Sequence, residues 1–297
     1  MVKFLFTILL ILGTGWLHGA EIVLISDIDD TLKRTHVLGN FSGGLSFDND
    51  FTGLNTLYKT LICRKNLKVV GLEKDCFNSK AEEEMKHTGT YYVTGAPSFL
   101  NYWGRKFLKK NKFPEGNFYY KPDWGDSTYS FKVETIAEIL KDFYDDEEVE
   151  VVLIGDNGEK DPAVFETISQ QFQNSKFKIS TYIHLVYAYA GSYKEIGVKP
   201  KAGQKMYLTA VDLALDFYLK DWIYTNDLMM VYYDVMEKLN SSDSDEVEKV
   251  IPGWMKCHEF FDDFNKPQVT NHTLKMQLDI YYNTLMDICH KRSLTLD

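Results

Sequence analysis

Two apolar segments of the chain each end in acidic residues, and this pattern is the first sign of chemistry. The segment IVLISDIDDT ends in Asp27, Asp29 and Asp30, and the segment VVLIGDNGEKD reaches Asp156 through a glycine. Buried carboxylates are costly unless a cation compensates them. Singly, the first segment is also typical of a calcium loop or an acidic turn. Together, the two segments predict an oxygen-rich site suited to Mg²⁺.

Two weaker signals lie between these segments. In YYVTGAP, Thr94 stands where an apolar run meets a glycine turn, and in YSFKVETI, Lys132 lies near the start of a helical stretch. A hydroxyl group and an ammonium group at such points can hold a phosphoryl group and neutralise charge during its transfer. Taken alone, Thr94 is also typical of a turn residue, and Lys132 of a solvated lysine.

The elements that must position these residues follow from an alternation of apolar runs and helical stretches. The predicted strands cover residues 22–26, 91–94, 117–120, 151–155 and 181–187, and the predicted helices 99–110, 129–142 and 161–172. Such alternation predicts an α/β fold, a Rossmann-like parallel sheet of about five strands flanked by helices. Ligands bind at the carboxyl ends of such strands, so the acidic segments should lie close together.

Two further regions fall outside this alternation. Residues 36–88 form a long insertion after the first strand, with a helix predicted at 55–61, and are interpreted as a small cap over the end of that strand. Residues 198–297 carry apolar stripes at helical spacing and are predicted to form a helical C-terminal region. These stripes are interpreted as core, with a partner-binding groove as the alternative.

The N-terminal residues 1–20 have the layout of a secretory signal peptide. Lys3 precedes a short apolar run, and Gly19 and Ala20 are small residues at the expected cleavage point. The run is shorter than a membrane-spanning helix needs, although an uncleaved anchor is the alternative. The pattern therefore predicts an exported protein, periplasmic, secreted or within the secretory pathway.

The four cysteines fit the same location. An even number of cysteines in an exported chain predicts two disulfides, and four cysteines allow three pairings. We expect Cys63 to pair with Cys76 and Cys257 with Cys289. Metal binding by these cysteines is disfavoured because they form no CxxC pair.

The net charge of −10 bears on possible partners. An acidic surface repels nucleic acid and argues against tight binding to anionic membranes, so we expect no nucleic-acid partner and at most peripheral membrane contact. An anionic substrate would need local cations or a metal. The sequence does not indicate the oligomeric state.

The order of the four segments resembles that of the haloacid dehalogenase superfamily of aspartate-dependent phosphohydrolases. More narrowly, SDIDDTLK, YYVTGAPSFL, FKVETIAEIL and VVLIGDNGEKDP resemble the phosphatidate phosphatase catalytic domain first associated with yeast actin patches. The resemblance covers about residues 22–190 and implies a phosphatase domain over 21–197. It does not explain the C-terminal region.

The resemblance implies a role for each matching residue. Asp27 would be the nucleophile that forms an aspartyl-phosphate, and Asp29 the general acid and then the general base. Thr94 would bind the phosphoryl group, and Lys132 would hold Asp27 and the phosphoryl group in place. Asp30 stands at a variable position and receives no catalytic role.

The resemblance also implies a ligand set for the metal. Asp27, the backbone carbonyl of Asp29, and Asp156 would hold Mg²⁺, with Asp161 as an additional acidic partner. The implied reaction is hydrolysis of a phosphate monoester, and the narrower resemblance suggests phosphatidate as its substrate. A water-soluble phosphomonoester is one alternative. A catalytically inactive metal- or phosphate-binding module with a partner-docking helical region is another.

Overall fold

The chain forms an α/β structure around one parallel sheet. The computed structural model describes residues 21–294 except 69, 87, 124, 145–147, 192 and 264–268, so the predicted signal segment lies outside the described residues. Within the described part, six strands pair in the order β3-β2-β1-β4-β5-β6. The strands are β1 (Glu21–Ser26), β2 (Thr90–Pro97), β3 (Asn117–Lys121), β4 (Val149–Asp156), β5 (Phe177–His184) and β6 (Lys205–Tyr207).

The predicted fold class is confirmed, and the sheet extends one strand beyond the five expected. The additional strand, β6, pairs in parallel with the end of β5 and lies in the segment predicted to be helical. Three residues are too few to show the alternation by which a strand is recognised. β1 lies between β2 and β4, where the strand order reverses, and open α/β sheets bind ligands at this point.

Helices cover both faces of the sheet. α4 and α5 pack together on one face, and α1 packs on β1 together with α6 and α7. Short 3-10 helices cover Ser98–Leu100 and Cys257–Asp263. The helices are α1 (Leu54–Asn66), α2 (Ser79–Met85), α3 (Asn101–Lys110), α4 (Thr128–Lys141), α5 (Asp161–Gln171), α6 (Ala210–Leu219), α7 (Thr225–Leu239), α8 (Ser244–Glu248) and α9 (His272–Ser293).

The insertion after β1 is divided between the sheet and its carboxyl edge. α1 belongs to the crossover from β1 to the parallel strand β2. Its Leu54, Leu57 and Leu61 are buried and recur at helical spacing. The side chain of Asn66 at its end bonds the backbone N–H and C=O of Ile22 at 2.9 and 2.8 Å. Of the predicted cap, residues 36–50 lie at the carboxyl edge, and we call them the cap loop.

Two disulfides join elements outside the sheet. Cys63 of α1 pairs with Cys76, which lies just before α2, and Cys257 pairs with Cys289 of α9. The expected pairing is confirmed, and it fits an exported protein. Among the residues that the structure describes, no helix combines the length and apolar character needed to cross a membrane.

The C-terminal helices are tied to the sheet through the start of α6. The side chain of Thr209 caps this helix, and a carboxylate oxygen of Asp212 accepts hydrogen bonds from the backbone N–H groups of Leu208 and Thr209 at 3.0 and 2.9 Å. The hydroxyl of Tyr281 in α9 donates to the same oxygen at 3.2 Å. Burial raises the pKa of Asp212 to about 6, and it outweighs these hydrogen bonds, which favour the ionised form.

We expect Asp212 to make stability depend on pH. Its pKa is higher in the folded state than in the unfolded chain, so the folded state binds more protons between about pH 4 and pH 6. The free energy of unfolding therefore falls as pH rises through this range, by about 3 kcal/mol from this group. Asp212→Asn cannot titrate, so urea unfolding should show a smaller fall for the variant. Identical pH dependence in both proteins would contradict the assignment.

Candidate active site

The acidic segments meet at the carboxyl edge of the sheet, as the parallel arrangement requires. β1 and β4 pair in register up to Ser26 and Ile154, and the backbone N–H of Asp27 donates to the carbonyl of Ile154 at 2.9 Å. Asp27 leaves β1 at the point where Asp156 ends β4. Both side chains are almost fully buried.

Lys132 of α4 joins two of these carboxylates. Its ammonium nitrogen lies 2.7 Å from Oδ1 of Asp27 and 2.5 Å from Oδ1 of Asp161, and all three side chains are buried. Burial lowers the pKa of Lys132, but the carboxylates of Asp161 and Asp27 outweigh it and raise that pKa above its usual value. Lys132 therefore remains an ammonium group.

Asp161 and Asp156 are linked through the turn after β4. Oδ2 of Asp161, the first residue of α5, accepts a hydrogen bond from the backbone N–H of Asp156 at 3.3 Å. Asp156 in turn accepts from the backbone N–H of Gly158. A Cβ atom at Gly155 would collide with the Asp161 carboxylate, so only glycine fits this exit from the strand.

Asp29 faces a different set of partners. Its Oδ2 accepts a hydrogen bond from Oγ1 of Thr94 at 3.1 Å, and its Oδ1 accepts from Oγ1 of Thr35 at 2.7 Å. The Thr94 hydroxyl also accepts from the backbone N–H of Ala96 at 3.0 Å. The turn after β1 thus points Asp29 toward β2 and leaves Asp27 facing Lys132.

Asp30 is a structural residue of the site that the sequence did not reveal. It is fully buried with a φ of 58°, and its carboxylate accepts from the backbone N–H groups of Thr35, His36 and Val37 at 2.7–2.8 Å. The hydroxyl of Tyr187 donates to it at 2.5 Å. Burial raises its pKa to about 6 despite these bonds. Asp30 thereby fixes the start of the cap loop.

The donor set suits a divalent cation. Asp27, Asp156 and Asp161 each offer a carboxylate oxygen, and these oxygens lie within 4.8 Å of one another. Burial, together with the neighbouring carboxylates, raises the pKa of Asp27 and of Asp156. When all three carboxyl groups are ionised, the ammonium group of Lys132 leaves two negative charges without compensation. A buried group of this composition calls for a hard divalent ion. The carboxylate of Asp29 lies outside this cluster.

A cavity of about 550 Å³ opens above the carboxylates. Asp27, Asp29, Asp156 and Thr94 line its polar side, and Lys121, Thr128 and Glu159 also face it. The apolar part of the lining, which we call the apolar wall, comes from the cap loop, the end of β2 and the short helix after it, namely Val37, Phe41, Ala96, Pro97 and Leu100. These wall residues could not be recognised from the sequence, because an apolar side chain gives no sign of a binding role. The volume is that of a site for a small ligand or a headgroup.

An α/β sheet whose buried carboxylates converge on an open cavity at the strand-order reversal defines a ligand-binding or catalytic domain of the Rossmann-like class. The chain belongs to the family described as "Phosphatidate phosphatase APP1, catalytic domain", whose model matches residues 22–180. This result confirms the narrower sequence resemblance. The description of that family names a phosphatase catalytic domain.

One characterised relative is the phosphatidate phosphatase APP1 of Saccharomyces cerevisiae. The chain is 29% identical to it over 167 residues, which cover 51% of this chain and 24% of the yeast protein. The chain thus matches about a quarter of that relative. No solved structure matches the chain.

We expect a divalent cation to stabilise the fold through these carboxylates. A ligand bound only by the folded state at a hundred times its Kd adds about 2.7 kcal/mol, so saturating Mg²⁺ should raise the midpoint of thermal unfolding by about 5 °C or more. Asp156→Asn should lose most of this shift. The control is Asp279→Asn on the exposed side of α9, which should keep it. An equal shift in all three proteins would show that the ion binds elsewhere.

Proposed function

We propose that this chain is a Mg²⁺-dependent phosphatase that hydrolyses a phosphate monoester through an aspartyl-phosphate on Asp27. The observation that carries the proposal is the contact between the Asp27 carboxylate and Lys132 inside a buried acidic cluster that opens to the cavity. A carboxylate held in this way is a suitable nucleophile, because phosphoryl transfer needs positioning and charge stabilisation above all. The match to a family named for a phosphatase catalytic domain supports this chemistry.

In the first half of the proposed reaction, a carboxylate oxygen of Asp27 attacks phosphorus and the bond to the leaving oxygen breaks. Asp29 donates its proton to that oxygen, so the product alcohol leaves neutral. When Asp29 is protonated it no longer needs the hydrogen bond from Thr94, and the Thr94 hydroxyl can instead donate a hydrogen bond to a phosphoryl oxygen. Lys132 orients Asp27 and offsets the charge that develops on the phosphoryl group.

In the second half, Asp29 accepts a proton from water as the water attacks the phosphorus of the aspartyl-phosphate. The bond between phosphorus and Asp27 breaks, and inorganic phosphate is released with the carboxylate restored. One residue thus serves both halves, first as acid and then as base. Its position between Thr35 and Thr94 keeps it beside the reacting group without a contact to Lys132.

The proposed metal ligands are Asp27, Asp156 and the backbone carbonyl of Asp29. Asp161 offers a further carboxylate oxygen, and it also anchors Lys132. When bound, Mg²⁺ would supply positive charge to the phosphoryl oxygens and orient them toward Asp27. Mg²⁺ suits a site with few carboxylates, because it retains water and accepts phosphate oxygens as ligands.

For the substrate we propose phosphatidate, which the name of the family and of the yeast relative suggests. Phe41, Pro97 and Leu100 of the apolar wall line the same cavity as the carboxylates, so an ester with an apolar alcohol portion fits its chemistry. A water-soluble phosphomonoester is the second candidate, because the acidic side of the site is the same for both. An inactive binding module is disfavoured by the joint presence of Asp27, Asp29, Lys132 and Asp156.

We further propose that residues 1–20 direct export and that 21–197 form the phosphatase domain. The two disulfides support export, because such bonds persist in oxidising compartments. The region 198–297 is proposed as a mainly helical support that packs on α1 and the sheet edge. Trypsin digestion and mass spectrometry of exported protein would locate the mature N-terminus.

Replacement of the nucleophile is the direct test of the mechanism. Asp27→Asn keeps the shape of the side chain but removes the attacking carboxylate, so kcat should fall at least about a thousandfold. The circular dichroism spectrum should stay that of the wild type. Asp279→Asn, with the same chemical change on an exposed helix face, should keep full activity. Substantial phosphate release by the Asp27 variant would refute the covalent mechanism.

A substrate panel separates the lipid from soluble phosphates. We expect Mg²⁺-dependent release from short-chain phosphatidate, below its micelle concentration, to exceed release from sugar and nucleotide phosphates. Leu100→Asn should lower kcat/KM for the lipid about tenfold, because one apolar contact is lost, and leave p-nitrophenyl phosphate unchanged. Leu219→Asn, an exposed leucine of α6, is the matched control. Equal losses on both substrates would argue against an acyl-binding wall.

A further inference from the structure

One segment beside the candidate active site carries only positive charge, although the protein as a whole is acidic. The segment 99–113, FLNYWGRKFLKKNKF, contains α3 and has five cationic residues and no acidic one, whereas the whole chain carries a net charge of −10. The average charge of the protein therefore does not describe this face. The five cations are Arg105, Lys106, Lys109, Lys110 and Lys112.

α3 presents an aromatic and cationic stripe to solvent. Tyr102, Arg105, Lys106 and Lys109 recur at the spacing of one helix face and are exposed, whereas Phe107 and Leu108 on the opposite side are buried. The side chain of Tyr102 is 61% exposed. Because the apolar side of α3 is buried in the protein, the exposed stripe contributes mainly positive charge, which attracts anionic lipid headgroups.

The cap loop lies directly beside this stripe. The ammonium nitrogen of Lys106 is 4.5 Å from the ring centroid of Phe47 and 5.4 Å from that of Tyr102, so it joins the two segments. Lys110 forms an ion pair with Asp48 at 2.6 Å. The loop exposes Leu45, of which 58% is accessible to solvent. Apolar and cationic side chains therefore share one face.

This face borders the candidate active site through Phe41 and the residue that precedes α3. Phe41 of the cap loop is 42% exposed and also lines the cavity above Asp27. Leu100, just before α3, lines the same cavity. We call the face formed by Phe41, Leu45, Tyr102, Arg105, Lys106 and Lys109 the docking surface.

We propose that the docking surface binds the interface of an anionic lipid bilayer and directs the cavity toward it. The cations complement anionic headgroups, and Phe41, Leu45 and Tyr102 can enter the headgroup region. Nucleic acid would also bind the cations, but its phosphates would make no favourable contact with the exposed leucine beside them. An acidic protein is the other occupant, and the experiments distinguish it. The proposal does not depend on the proposed phosphatase chemistry, because docking is measured without turnover.

Vesicle binding tests the charge component. Sedimentation with phosphatidylcholine vesicles that contain about 30% phosphatidylglycerol, a phosphodiester that is not a phosphomonoester, should show binding that neutral vesicles lack. The variant R105E/K106E/K109E should bind at least about tenfold more weakly. The control K178E/K275E/K291E makes the same charge change on exposed lysines of β5 and α9 and should bind like the wild type. Equal losses in both variants would overturn the proposal.

Insertion of the apolar side chains tests the bilayer against an acidic protein. All four native cysteines are in disulfides, so Leu45→Cys offers a single thiol for an environment-sensitive fluorophore. Its emission should rise and shift to the blue with the phosphatidylglycerol vesicles. Met276→Cys, 54% exposed on α9, should not respond. No response at position 45 together with salt-sensitive sedimentation would mean purely electrostatic adhesion. That result would overturn the proposed contact of the apolar side chains with the headgroup region, because the cations alone would then account for binding and an acidic protein would fit them equally well.

A thermal unfolding measurement keeps the charge test interpretable. If R105E/K106E/K109E unfolds at the wild-type temperature yet loses vesicle binding, the loss belongs to the surface. If that variant unfolds early, the labelled Leu45→Cys protein, which keeps all cations, decides between the outcomes. Both readouts can be taken with Asp27→Asn as background. A failure of docking is thereby separated from a failure of catalysis.

Discussion

The ion pairs of Lys132 are the interaction on which the site depends. The ammonium group lies between Asp27 and Asp161 in the protein interior, where an unpaired charge costs several kcal/mol. Its contact with Asp27 orients that carboxylate. Its second contact is with Asp161, so Asp156 is the member of the three-carboxylate cluster that Lys132 does not contact. The remaining negative charge explains why the donor set suits a divalent ion. The position of α4 therefore sets the charge at the ends of β1 and β4, because it carries the ammonium group that pairs with the carboxylates there.

Much of the site was predictable because parallel strands bring their carboxyl ends to one edge. The segments that end in Asp27 and Asp156 therefore had to reach the same edge, and the pairing of β1 with β4 in the structure brings the two residues together. The role of Asp30 could not be read from the sequence, because it depends on a positive φ and on three backbone N–H groups that turn toward one carboxylate. The crossover role of α1 was obscured by the length of the insertion around it, although its leucine spacing was visible.

Bulk charge proved a poor guide to the surface. A net charge of −10 argues against anionic partners when charge is spread evenly, but residues 99–113 carry no acidic side chain. The location of this segment followed from its fold, since α3 continues from β2 and so begins beside Thr94 and the cavity. The sequence predicted the helix, but which of its faces is exposed, and that the cap loop lies against it, required the structure.

The site is assembled from positions far apart in the chain, and this has a consequence for folding. Asp27 follows β1, whereas Thr94, Lys132 and Asp156 lie in β2, α4 and β4, and the four residues meet only when β4 has paired with β1. No fragment that ends before β4 contains the complete group. During synthesis from the N-terminus, the nascent chain therefore remains incapable of binding a metal ion at this position until about half of its length has emerged. Such long-range pairing is typical of folds that form slowly.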